Sequence, residues 1–133
     1  MVTASDSTIL IDVFSGSPIL EAKASLALRE ANARGIIVIC DVVYAEVCAS
    51  FPSREECDEF LGDLKIKVES LDLTSSFIAS RSWLSYPKAG GKRLRILPDF
   101  LIGAHARNQA DALLTRDRGY YRQHFPGLNV IEP

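Results

Sequence analysis

Four consecutive β-branched residues, Ile36-Ile37-Val38-Ile39, constrain the fold of this chain more than any other stretch. A strand with one wet face alternates apolar and polar residues, whereas a continuous apolar run is buried on both faces. That geometry belongs to a parallel sheet with helices above and below it. The surrounding segments agree. Val2 to Ser5 reads as a short first strand, Lys67 to Leu71 as a third and Ala112 to Thr115 as a fourth, with Asn129 to Glu132 as a fifth at the edge. Helical patterns fill the intervals at Ser7–Phe14, Pro18–Ala33, Asp41–Ser50, Ser53–Leu64, Leu73–Tyr86 and Pro98–Gln109, with a turn or short helix at Arg118–His124.

Several helix ends are written in local chemistry. Gly16-Ser17-Pro18 closes the first helix and opens the second, and Gly35 stops that second helix before the β-branched run. Ser53 with Glu56 three residues later forms a capping box. The second helix carries apolar residues at Ile19, Leu20, Leu26 and Leu28, suited either to the core or to a partner surface. Strands alternating with helices imply right-handed crossovers and a three-layer α/β/α domain with a mainly parallel sheet of four to five strands. No repeat or linker interrupts the pattern, so residues 1–133 are expected to form a single domain.

Open sheets of this kind bind ligands at the carboxyl ends of their strands. Four carboxylates fall there. Asp6 follows the first strand, Glu46 lies on the helix after the second, Asp99 stands in the first turn of the Pro98 helix, and Asp117 follows the fourth strand. Asp6, Glu46 and Asp99 are set in apolar surroundings that do not suit a solvated charge. Singly, Asp6 and Asp99 could cap helices and Asp117 could open a turn. Together they suit a hard divalent cation, Mg²⁺ or Mn²⁺, which relieves carboxylate repulsion and activates water for phosphoryl displacement.

Charge and cysteine usage narrow the partners. With 15 basic and 17 acidic residues, the net charge of −2 excludes a basic nucleic-acid coat, though not a local basic rim beside an acidic pocket. Lys88, Lys92, Arg93 and Arg95 precede Asp99, and Arg116, Arg118 and Arg122 surround Asp117; as groups they are candidate phosphate contacts. Cys40, Cys48 and Cys57 are odd in number and lack metal-ligand spacing, so they are expected to be inert thiols of a reduced protein. His105 lies on the Pro98 helix but on a face away from Asp99, and His124 is expected at the surface, which leaves no histidine for metal-free acid–base chemistry. Trp83 and Tyr86 are expected in the core or a dimer interface. No basic-then-apolar leader and no apolar run of about 20 residues is present, so a cytoplasmic protein away from membranes is expected.

The four acidic segments, in this order, resemble the motifs of PIN-domain ribonucleases of the VapC toxin type. The matching segments are Asp6-Ser7-Thr8-Ile9-Leu10-Ile11-Asp12, Val43-Tyr44-Ala45-Glu46, Leu97-Pro98-Asp99-Phe100-Leu101-Ile102-Gly103-Ala104-His105-Ala106 and Leu113-Leu114-Thr115-Arg116-Asp117, followed by Tyr120-Tyr121 and Phe125-Pro126. The resemblance implies an endoribonuclease whose Asp6 and Asp99 bind Mg²⁺ or Mn²⁺ most directly, with Glu46 and Asp117 ligating directly or through water. Thr8 and Thr115 match polar positions that line the pocket; Thr8 departs from the usual asparagine or serine. The resemblance further implies RNA as substrate, products with a 5′-phosphate and a 3′-hydroxyl, a homodimer, and a cognate antitoxin that blocks the site. The Pro18 helix and the Leu73–Tyr86 segment are candidate faces for those partners. A haloacid-type phosphatase would need an aspartate where Thr8 stands, and a receiver domain an adjacent acidic pair with a lysine after a late strand; neither pattern appears. A catalytically silent PIN-like binding module is the remaining alternative.

Overall fold

The computed structural model describes residues 1–85 and 97–133. Five parallel strands form one sheet: β1 (Val2–Ser5), β2 (Ile36–Ile39), β3 (Ile66–Val68), β4 (Ala112–Leu114) and β5 (Val130–Ile131), in the order β3-β2-β1-β4-β5. Around it lie α1 (Ser7–Ser15), α2 (Pro18–Arg34), α3 (Asp41–Cys48), α4 (Arg54–Asp63), α5 (Leu73–Ser85), α6 (Leu97–Gln109) and α7 (Arg118–His124). The arrangement is the expected three-layer α/β/α fold. The chain runs outward from β1 through β2 to β3, then returns to β4 and β5 on the other side. The order therefore reverses between β1 and β4, and that switch point is where the carboxyl ends of the strands open a crevice.

The β-branched run behaves as a central strand should. Ile37, Val38 and Ile39 are buried and pair with β1 on one side and β3 on the other. Ser5 pairs with Leu114, and the Asp6 amide donates to the Leu114 carbonyl at 3.1 Å, so the β1 and β4 ends are locked side by side. Ser17 caps α2 through the Leu20 amide, with Pro18 behind it, and Ser53 caps α4 through the Glu56 amide. Gly35 ends α2 for lack of space: a Cβ there would run into the Met1 carbonyl and come within 2.7 Å of the Met1 nitrogen.

Two expectations are corrected, the bounds of β3 and the surface place of His124, and the inward face of α2 is decided. The buried face of α2 is Ala24, Ala27, Leu28 and Ala31, while Ile19 and Leu26 are exposed. Small side chains let α2 lie close against its neighbours, and burying that close seam decides which face turns inward. Strand β3 spans Ile66–Val68 rather than Lys67–Leu71: after Glu69 bonds the Ile39 carbonyl, Asp41 holds the Leu71 amide at 3.3 Å and draws the chain off the sheet. His124 is half-buried, stacked against Phe100 and Tyr120 with ring centroids 5.3 and 4.8 Å away. Trp83 packs against the core, partly buried, as expected. The loop expected at 87–95 and Tyr86 lie outside the described residues.

Candidate functional site

Asp6 is placed by β1 and used by α1. Its backbone is extended, and Oδ1 caps α1 by accepting from the Thr8 amide (3.1 Å), the Thr8 hydroxyl (2.6 Å) and the Ile9 amide (3.4 Å). Oδ2 accepts from the Thr115 hydroxyl. The capping role considered from sequence is therefore real, and the two threonines proposed to support the pocket both hold this one carboxylate. Burial drives the Asp6 pKa upward, and its four hydrogen bonds oppose the shift without cancelling it.

Thr115 follows β4 and is fully buried. Its hydroxyl donates to Asp6 and accepts from the Asp117 amide at 3.0 Å, so one oxygen couples two of the four acids. Asp117 stands at the start of α7 but makes no side-chain cap, and its carboxylate is exposed. Glu46 lies at the surface end of α3, more exposed than its apolar sequence context suggests, with Oε1 held by the Ser7 hydroxyl at 3.1 Å. Its pKa is raised, by desolvation first and then by the charges of Asp99 and Asp6. Asp99 occupies the first turn of α6, half-buried.

Tyr121 ties these observations together. It is buried on α7, and its hydroxyl is held firmly neutral by burial, then by the negative charges of Asp6, Asp99 and Asp117 among its neighbours. Asp6 and Asp99 thus act on both Glu46 and Tyr121, and Asp117 acts on Tyr121. Asp6 and Asp117 follow the two strands that meet at the β1/β4 switch point. Among the described residues, no three Asp, Glu, His or Cys side chains come close enough to share a single ion. The donor set still fits Mg²⁺ or Mn²⁺. These ions take oxygen ligands, keep several waters, and need only one or two carboxylates when a phosphate completes the shell.

The basic candidates divide. Arg116 is gripped by Asp12, with Nε to Oδ2 at 2.6 Å and Nη2 to Oδ1 at 3.2 Å. This two-point contact joins α1 to the loop between Thr115 and Asp117, and sequence reasoning missed it, although Asp12 closes the opening motif. Arg118 pairs with Glu132 at the surface, at 3.3 Å. Lys88, Lys92, Arg93 and Arg95 lie outside the described residues. Ser7 and Tyr121 stood within the motif segments but were given no role; a hydroxyl next to a pocket acid and a tyrosine four residues after another were the available signals. His105 is buried and bonded to Glu69 at 3.0 Å, away from the acids.

The family profile described as PIN domain matches residues 5–126. No curated protein sequence matches the chain significantly. Solved structures share its fold. One is VapBC2 from Rickettsia felis, bound to a DNA fragment from their promoter, with a TM-score of 0.74 and 17% identity over 99% of this chain and 98% of that one. VapBC-1 from nontypeable Haemophilus influenzae gives 0.73 and 18% over 99% and 98%. A toxin–antitoxin complex from Klebsiella pneumoniae gives 0.66 and 22% over 97% and 95%. At these identities the likeness is one of fold.

Proposed function

Because the chain belongs to the PIN domain family, we propose that it is an endoribonuclease that hydrolyses RNA phosphodiester bonds with Mg²⁺ or Mn²⁺, and that it acts as the toxin of a toxin–antitoxin pair. The observation that carries this reading is the coupling of Asp6 and Asp117 through the Thr115 hydroxyl at the adjoining ends of β1 and β4, with Asp6 and Asp99 both raising the pKa of Glu46. A protein gains no stability by gathering like charges at one place, so the gathering is best explained by a positive ligand.

Asp6 and Asp99 are the residues assigned to hold the ion, with Glu46 and Asp117 acting through water. When bound, such an ion supplies neutralisation of phosphate charge and activation of water. The chain's own contribution is orientation. Thr8 and Thr115 fix the plane of the Asp6 carboxylate, and Thr115 also anchors the Asp117 backbone. Ser7 holds Glu46 by Oε1 and so fixes where that carboxylate stands beside the pocket. Exposed Arg122, together with Lys92, Arg93 and Arg95, is assigned to substrate phosphates, and so is Arg118, whose pairing with Glu132 is open to solvent on both sides and weak enough to yield. Arg116 is assigned to positioning instead, since Asp12 already occupies its guanidinium.

The partners follow from the family and from the surface. The structures of like fold are toxin–antitoxin complexes, which supports a cognate antitoxin here. Leu73, Phe77 and Leu84 on α5 and Ile19 and Leu26 on α2 are exposed apolar side chains suited to an antitoxin or to a second copy in a homodimer. No described helix is long and apolar enough to cross a membrane, which fits a protein acting on RNA in the cytoplasm. One observation favours the silent-module alternative: both Asp6 oxygens already accept hydrogen bonds from the chain.

The test is incubation of the purified chain with RNA, with and without Mg²⁺ or Mn²⁺, beside Asp99→Asn. Cleavage that needs the ion and is lost in the variant is expected. Cleavage undiminished in Asp99→Asn refutes the assignment. Absence of turnover together with tight antitoxin binding favours the silent module.

A further inference from the structure

Two thiols that take no part in the acidic group meet at the far end of the Glu46 helix. Cys48 is the last residue of α3 and Cys57 lies inside α4; their Sγ atoms are 2.7 Å apart. Only a small movement separates them from the roughly 2.0 Å of a disulfide bond. The pairing is held by its surroundings. The Tyr44 hydroxyl on α3 donates to Asp58 on α4 at 2.7 Å, beside Cys57. Phe51, in the connection between the helices, packs edge-on against Phe14 and beside Phe60, with centroids 5.1 and 5.2 Å away. The helices therefore cannot drift apart without breaking an aromatic cluster.

Access is asymmetric. Cys57 is fully buried, while Cys48 is half-buried and lines an open surface cavity of about 350 Å³ with Tyr44, Phe51, Ser53 and Arg54. Cys40, the third cysteine, is buried elsewhere, at the end of β2.

We propose that Cys48 and Cys57 are a redox pair that closes to an intramolecular disulfide in exchange with a small soluble disulfide of the glutathione type. The Cys48 thiolate attacks the incoming disulfide, forming a mixed disulfide and releasing one small thiolate. Cys57 then gives its proton to that thiolate and attacks Cys48 Sγ, and the second small thiolate leaves and takes up from solvent the proton that Cys48 had released. Two protein thiols and one small disulfide become one protein disulfide and two small thiols. Burial and its sulfur neighbour push the Cys57 pKa up to about 12, so exchange starts at the half-exposed Cys48. The new bond would staple the end of α3 to α4.

The experiment equilibrates the full chain in glutathione buffers of increasing oxidised fraction, followed by acid quenching, alkylation and mass mapping. The expected product has lost two of its three alkylatable thiols, keeps no glutathione, yields a linked Cys48–Cys57 peptide, and reverts with dithiothreitol. Its melting temperature should exceed that of the reduced chain by on the order of 5 °C. Cys57→Ala should trap glutathione on Cys48. Because that variant empties buried space, Cys57→Ser is run beside it, and thermal melts show that each is folded. Three free thiols at every poise, a stable glutathione adduct on Cys48 of the unmutated chain, or a bond between two chains would each overturn the proposal.

Discussion

Replacing Gly103 by alanine sets two physical effects against each other. Gly103 lies inside α6, where alanine is the better helix former by about 1 kcal/mol, so propensity alone predicts a more stable protein. Packing predicts the reverse. A Cβ at Gly103 would come within 2.7 and 2.8 Å of two atoms of the Phe125 ring and closer still to a third, whereas carbon contacts settle near 3.5–4.0 Å. The ring would have to retreat by about 1 Å. It is buried, with Phe100 and Tyr121 around it at centroid distances of 6.0 and 6.4 Å, so no open space receives it. Overpacking of this kind costs about 1–3 kcal/mol, and three ring contacts favour the upper half. The net expectation is a loss of about 1–2 kcal/mol, a urea midpoint lower by roughly 1 M with an unchanged slope. Since α6 carries Asp99 and α7 follows Asp117, activity should fall as the two helices are pushed apart. Adding Phe125→Leu should recover part of the loss, so the double variant costs less than the sum of the singles. A midpoint equal to or above that of the parent chain would refute the packing argument.

Two further outcomes follow from the site. The metal-free protein should lose stability as pH rises from the ordinary carboxylate range through the raised values of Asp6 and Glu46, because the folded state binds more protons there than the unfolded one. Asp6→Asn, which keeps an equivalent cap, should flatten that dependence in thermal melts, and a steeper fall would contradict the burial cause. Asp12→Ala should free Arg116 and cost about 1–3 kcal/mol, less than a fully buried pair because the guanidinium can return to water. Because the pair positions the Asp117 loop, kcat should drop more than KM rises, and Arg116→Lys with Asp12 intact, which cannot make the two-point contact, should show the same split; a pure KM effect would instead mark Arg116 as a phosphate contact.

The sheet and its helices were legible because each element carries its own local signal. Ile36–Ile39 has no polar face, Ser17 and Ser53 bond amides in their own first turns, and Gly35 stands where the chain crosses Met1. Site positions were legible at the level of strand ends, since Asp6 and Asp117 directly follow strands that the topology sets side by side. What escaped depends on contacts distant in sequence. The inward face of α2 is chosen by how closely alanines let it pack, which hydrophobicity counts do not register. The pairs Asp12–Arg116 and Ser7–Glu46 bridge 104 and 39 positions, and neither partner is unusual by itself. The meeting of Cys48 and Cys57 needs the turn between α3 and α4, and spacing alone does not fix that turn.

The central claim is that Asp6 and Asp99 serve one divalent ion. Calorimetric titration of the purified chain with Mn²⁺, beside Asp6→Asn and Asp99→Asn, measures it most directly. Saturable binding by the parent chain is expected, weakened about tenfold or more in each variant while both remain folded. Binding of equal strength in all three chains, or none in the parent, would contradict it.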